Sequence, residues 1–143
     1  MSVCLENVSY TYPGETKPVI FNFSAHIEKG EFVSLIGKSG TGKSTLLKLI
    51  AGLFPCEEGI ISVNGKTPGP GSVGYMPQRD LLLPWRTVID NIMLPLEVQN
   101  KRNLTKADAE EWLKRIGLIR WKDALPKQLS GGMRQRVAFL RTL

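Results

Sequence analysis

The chain lacks most of the features that would assign it a class at a glance. One histidine and two cysteines in 143 residues provide neither a disulfide framework nor the spacing of a metal-ligand set. Cys4 and Cys56 therefore read as two reduced thiols in a cytoplasmic protein. No apolar run approaches the roughly 20 residues that cross a bilayer, and residues 1–6 carry no signal-peptide pattern. There is no repeat and no low-complexity segment. Charge is also undirected. A formal charge of +6, from 19 Lys+Arg against 13 Asp+Glu, is spread along the chain, with small groups only at Lys101 and Arg102 and at Arg134 and Arg136. No aromatic-interleaved basic stripe accompanies it, so a solvated surface is the better reading and no nucleic-acid partner is expected.

Glycine, in contrast, is placed with purpose. Residues 37–45 read Gly37, Lys38, Ser39, Gly40, Thr41, Gly42, Lys43, Ser44, Thr45 and fit G-x-x-x-x-G-K-[ST]. Before them, residues 31–36 form a short apolar run of the kind a buried strand makes. After them, Leu46, Leu49 and Ile50 recur at helical spacing. Strand, glycine-rich loop and helix thus come in the order a P-loop needs. The chemistry explains the residue types. Successive backbone N–H groups can cradle a polyphosphate, and the first helical turn adds unpaired donors and a partial positive charge. Gly37, Gly40 and Gly42 allow positive φ and close approach. Lys43 is placed to reach the β- and γ-phosphates of ATP, and the Ser44 hydroxyl is placed for Mg²⁺.

Elsewhere the pattern is coarser. Residues 3–12 alternate as a strand ended by Pro13 and Gly14, with residues 19–27 as the hairpin partner. Gly52 is a plausible helix terminator. Residues 59–63 read as a strand, Asn64 and Gly65 as a hairpin turn, and residues 72–76 as a short buried strand. From residue 86 to 99 the chain reads as a helix broken at Pro95. Thr105 reads as an N-cap, with Asp108 in the capping-box position. On the helix that follows, Ala109, Trp112, Leu113 and Ile116 share a face, Glu110–Lys114 and Glu111–Arg115 pair at i,i+4, and Gly117 is the stop. Trp112 and Trp121 read as core. A last helix begins near Gly131.

A second motif narrows the class. Residues 129–137, Leu-Ser-Gly-Gly-Met-Arg-Gln-Arg-Val, resemble the LSGGQ-type signature of ATP-binding-cassette (ABC) ATPases, with Met133 where Gln is commonest. Gln78 falls at the family's Q-loop glutamine, and Tyr12 at the aromatic that stacks on adenine. The resemblance covers essentially the whole chain and implies an α/β P-loop NTPase. Its parts would be an N-terminal antiparallel β subdomain, an incomplete parallel core sheet and a helical subdomain. The implied boundaries are 1–78 for the nucleotide-binding core, 79–130 for the helical subdomain and 131–143 for a truncated signature helix. Lys43 and Gln78 would act in catalysis, Ser44 and Gln78 at Mg²⁺, and Ser130, Gly131 and Gly132 would close over ATP held by an opposing subunit. Residues 81–91 resemble importers for nitrate, alkanesulfonates, taurine and thiamine precursors. There such a segment helps receive a coupling helix of the membrane subunit, although Leu81 to Trp85 could equally be core of the helical unit.

The resemblance thus implies an ATP-binding subunit, peripheral on the cytoplasmic face of the membrane. It would pair with a second such subunit and with transmembrane permeases, and indirectly with a solute-binding protein. In the family the signature helix is followed by a strand carrying a catalytic Glu and by a switch His. The sequence stops at Leu143, and His26, upstream of the P-loop, reads as an ordinary strand histidine. The expectation is therefore a truncated chain that binds ATP and turns it over poorly, with residues 31–36 short of strand partners. A non-hydrolysing remnant or regulatory fragment is the alternative reading. A soluble ABC ATPase acting on nucleic acid or ribosomes is a third, disfavoured by the segment from Leu81 to Thr87.

Overall fold

A computed structural model describes residues 1–99 and 105–143; the basic pair Lys101 and Arg102 lies outside them. The chain divides into two compact units, Met1–Tyr75 and Met76–Leu143, each with a core of its own.

The first unit is built on a three-stranded sheet of order β2-β1-β3, with β1 at Val3–Tyr10, β2 at Ile20–Ile27 and β3 at Glu58–Val63. Both pairings are antiparallel. Val3, Leu5, Val8 and Tyr10 are buried, a pattern that skips one residue between 5 and 8. A register shift there, with Asn7 at φ 51°, restores the inward face after the extra residue. Gly59 lies opposite at φ +85°, where a Cβ would collide with the carbonyl oxygens of Glu6 and Asn7. Helix α1, Lys43–Ile50, contributes Leu46, Leu49 and Ile50 to the same core. It ends in a Schellman turn. Gly52 donates to Leu49 O at 3.0 Å and Leu53 donates to Lys48 O at 2.9 Å, with Gly52 at φ 67°. His26 is exposed on β2, 3.0 Å from Glu28.

Two expected strands do not form. Residues 31–36 enter no ladder, and Phe32 and Ile36 are 95% and 94% exposed. Residues 72–76 are likewise unpaired, with Val73 and Tyr75 only half-buried. The reason is partnership. A core strand needs hydrogen-bonded neighbours, and among the described residues the three strands pair only with one another, so the parallel part of the sheet is not formed. Asn64 and Gly65 do turn the chain, with Val63 and Lys66 exchanging bonds of 2.8 and 3.1 Å, but no strand continues beyond them.

The second unit packs α2 (Val88–Gln99), α3 (Lys106–Arg115) and α4 (Gly131–Leu140), with 3₁₀ turns at Ile119–Trp121 and Pro126–Gln128. Ile89, Ile92, Ala109, Leu113, Leu129 and Val137 form its core. Helix α2 carries Pro95 within it and does not break there. A proline removes one i→i−4 bond and need only bend a helix whose neighbouring turns are held. Thr105 and Asp108 make the capping box, with Asp108 N donating to Thr105 Oγ1 at 3.3 Å and Thr105 N to Asp108 Oδ2 at 2.8 Å. Gly117 closes α3 as a second Schellman turn, Leu118 donating to Leu113 O at 2.8 Å.

Glu110 does not pair with Lys114. It accepts from Lys122 at 2.9 Å, a bond that lowers the carboxyl pKa, while Glu111 lies 3.6 Å from Arg115 and 3.8 Å from Lys114. A long-range partner held by the fold has displaced a helical neighbour. Trp112 packs against the core, but Trp121 is 40% exposed on its 3₁₀ turn and is not part of it.

Asn91, fully buried, fastens the chain before α2. Its amide nitrogen donates to the carbonyls of Leu83, Arg86 and Thr87 at 3.2, 3.1 and 2.9 Å, and its oxygen accepts from Leu83 N at 2.7 Å. Asn91→Ala leaves Leu83 N and Arg86 O without partners, while Leu83 O keeps Arg86 N and Thr87 O keeps the backbone N–H of residue 91. The expected loss is about 3 kcal/mol, read from urea unfolding of unit-two helicity.

The Thr105 hydroxyl, and then its backbone N–H, hold the Asp108 carboxyl below its ordinary pKa. That stabilisation is complete above the unfolded-state value near 3.9 and is lost as pH falls through the lower folded-state value. Thr105→Ala should therefore weaken the acid dependence of α3 helicity, followed by circular dichroism during acid titration.

Candidate functional site

The glycine-rich loop ends in a helix start whose geometry depends on Gly42. This residue is the N-cap of α1 at φ 84°, ψ 3°. A Cβ on it would lie 2.8 Å from Val19 O and 3.2 Å from Ile20 Cγ1, so both conformation and space require glycine. Gly40 has φ 83° with open space around it. Thr41 Oγ1 donates to Lys38 O at 2.9 Å and braces the loop. Lys43 curls back over the loop, its Nζ donating to Gly37 O at 2.8 Å, Lys38 O at 2.6 Å and Thr41 Oγ1 at 3.3 Å.

Among the described residues, the N–H groups of Gly40 through Ser44 find no protein acceptor. Free donors beside an ammonium group suit a polyanion. Ser44 is exposed, as are Lys38 and Ser39. A cavity of about 340 Å³ adjoins the loop, lined by Val19, Ile20, Leu35, Ile36 and Lys43 among others.

Tyr12 and Thr45 are brought together in a way their spacing does not reveal. Thr45 is turned inward, 5% exposed, and its hydroxyl shares a 2.8 Å hydrogen bond with Tyr12 OH. The Tyr12 ring stands at 84° to both Tyr10 and Phe54, whose own rings lie nearly parallel at 5.5 Å. Lys48 Nζ lies 5.0 Å from the Phe54 centroid. Phe54, unmarked in the sequence, thus anchors the aromatic cluster beside α1.

The second unit holds the other expected residues. Ser130 is the N-cap of α4, its Oγ accepting from Met133 N at 3.3 Å. Gly131 and Gly132 are exposed, and a Cβ on Gly132 would meet nothing within 4 Å. Gln78 shares with these two glycines a cavity of about 510 Å³, walled also by Asp80 and Arg134. Gln78 and Ser44, both expected at a metal, belong to different units. The segment after Gln78 divides its duties: Leu82 is buried at 8% in the helical core, whereas Leu81 and Trp85 are 58% and 72% exposed.

A glycine-capped helix that starts with lysine, beside N–H donors left free, places the chain among P-loop nucleotide-binding proteins of the α/β class. More narrowly, the chain belongs to the ABC transporter family, whose model matches residues 20–143. It is 44% identical over 137 residues to a formylaminopyrimidine import ATP-binding protein of Halalkalibacterium halodurans, covering 95% of this chain and 53% of that protein. It is 46% identical over 125 residues to a nitrate import ATP-binding protein of Synechocystis sp., covering 85% and 47%. Among solved structures it resembles a dimeric, post-hydrolysis ATP-binding cassette bound to ADP and Pi. The TM-score is 0.84 at 33% identity, over 99% of this chain and 68% of the other. The chain thus spans about half the length of the curated relatives it matches. Its helices and antiparallel sheet form part of the ABC ATPase fold.

The two loop glycines should respond differently to alanine. Gly42→Ala meets both an unfavourable φ and the Val19 carbonyl, and should cost about 3 kcal/mol or more; Gly40→Ala meets only the φ penalty, about 1 kcal/mol. Denaturant titrations of the two variants check the order.

Proposed function

We propose that this chain is the nucleotide-binding portion of an ATP-binding subunit of an ABC importer. The observation that carries the reading is the start of α1, where free N–H donors and the Lys43 ammonium converge on one exposed loop. On binding, Lys43 would exchange the carbonyls of Gly37 and Lys38 for phosphate oxygens of ATP. The loop from Gly37 through Ser44 would wrap those phosphates, and the Ser44 hydroxyl would ligate Mg²⁺. Bound there, Mg²⁺ would neutralise charge on the phosphates. Thr45 would brace Tyr12, which would offer a ring to the adenine. Gln78 would complete the Mg²⁺ and water site. Ser130, Gly131 and Gly132 would present the capped start of α4 to the phosphates held by a second copy of the subunit.

Hydrolysis would then reset a dimer that pulls on transmembrane permease subunits through exposed Leu81 and Trp85. The names of the relatives support a small anionic or thiamine-precursor solute, with a solute-binding protein as an indirect partner. A peripheral position on the cytoplasmic face of the membrane follows from that partnership. No helix among the described residues is long and apolar enough to cross a membrane.

A narrower reading concerns turnover. The residues proposed for phosphate, Mg²⁺ and water, Lys43, Ser44 and Gln78, include no carboxylate, and water attack needs a group to polarise the water. The chain alone would therefore act as a nucleotide-binding fragment, with hydrolysis slow beside binding.

The expected result is MgATP binding by calorimetry that Lys43→Ala weakens at least about tenfold, a loss of about 1.4 kcal/mol or more. Equal affinity in the two proteins would remove Lys43 from the site. Steady-state phosphate release from the same preparation should stay near background, and brisk release would refute the fragment reading.

A further inference from the structure

Two arginines of the second unit reach back to the chain just after Gln78. Arg134, in the first turn of α4, donates from Nε to Asp80 Oδ2 at 2.9 Å and from Nη1 to Leu129 O at 2.9 Å. Arg141, the C-cap of α4, donates from Nη1 to Leu81 O at 2.8 Å and from Nη2 to Asp80 O at 2.9 Å. Asp80 spends its other oxygen on Leu82 N at 3.2 Å.

The backbone so held is unusual. Leu81 has φ 47°, a left-handed conformation disfavoured for any residue that carries a Cβ. In an extended chain consecutive carbonyls point to opposite sides. The turn at Leu81 brings the carbonyls of Asp80 and Leu81 onto one guanidinium. The rigid fork of Arg141 matches that pair, which a lysine ammonium on a flexible stem would not. Arg134 is also in an unfavourable place, because a cation in a helix's first turn opposes the helix dipole. Its place there is explained by the Asp80 carboxylate.

We propose that Arg134 and Arg141 are positioning residues for Gln78. They fix Asp80 and Leu81, and so set the exit of the short segment that carries the glutamine. Its entry is already stiffened by Pro77, whose φ is locked. Beyond Leu81 the same restraint passes to Asn91, which holds Leu83 through Thr87. The start of α4 is thereby linked by hydrogen bonds to the residues that follow Gln78 and flank the exposed Trp85, all within the second unit. The functional meaning of that linkage rests on the nucleotide reading of Gln78 given above.

The test is nuclear magnetic resonance on the full chain and on Arg141→Lys, Arg141→Ala and Arg134→Gln. The probes are the backbone N–H groups of Asp80 to Leu82, the Gln78 side-chain amide and the Trp85 indole N–H. Order parameters near 0.85 in the unsubstituted chain should fall below about 0.6 at these backbone sites in the Arg141 variants. The Gln78 and Trp85 resonances should shift with them, while the amides of α3 stay put. Should Arg141→Ala not fold, Arg141→Lys, which keeps charge and stem, carries the same readout.

Unchanged order and unchanged Gln78 and Trp85 resonances in Arg141→Lys and Arg134→Gln would overturn the proposal. A parallel MgATP titration follows the amides of Gly42 and Lys43. Silence there in the unsubstituted chain would overturn the nucleotide reading, and with it the functional meaning of the linkage. A normal response there with Gln78 unmoved in the variants would overturn the positioning role alone.

Discussion

Peptide N–H groups left without an acceptor are the constraint from which the first unit's chemistry follows. A helix of eight residues cannot satisfy its own first donors, and at the start of α1 they find no protein acceptor among the described residues. Keeping them free and convergent requires Gly42 in the left-handed region, packed so tightly under Val19 that no side chain fits. The hairpin of β1 and β2 thus contributes more than core. It places the Val19 carbonyl as a wall against which the loop is set. Lys43 then caps the loop from above, its positive charge spread over two carbonyls.

The second unit solves a related problem with side chains. Its irregular stretch from Gln78 to Thr87 has many backbone groups and no ladder to join. Asn91 and Arg141 take up those carbonyls, one from the buried side of α2 and the other from the end of α4. Such a loop is ordered without being regular, and it can hold Leu81 and Trp85 at the surface while Leu82 anchors the middle. An exposed apolar pair on a fastened loop suits a docking surface better than a collapsed core would.

Several features could be read directly from residue order because they are local. The G-x-x-x-x-G-K-[ST] spacing, the Thr105–Asp108 box and the two glycine helix stops each depend on residues within a few positions of one another. Their physics is a single turn's hydrogen bonding, and a single turn is visible in sequence. Residues 72–76 failed the same kind of reading, and residues 31–36, expected as a strand short of partners, enter no ladder. Apolar composition reports a preference for burial, whereas a strand also needs a neighbour's backbone, which composition does not contain.

The signature pairing with the P-loop, and hence membership of the ABC transporter family, was carried by residue order alone: both motifs are short, and their spacing survives any rearrangement of the chain between them. Folding in three dimensions added the partners that no spacing encodes. Tyr12 found Thr45, Asp80 found Arg134 fifty-four residues away, and Glu110 chose Lys122 over its own helical neighbour. These choices turn on which side chains are brought within about 3 Å, the range of a hydrogen bond, and that distance is set by packing of whole elements.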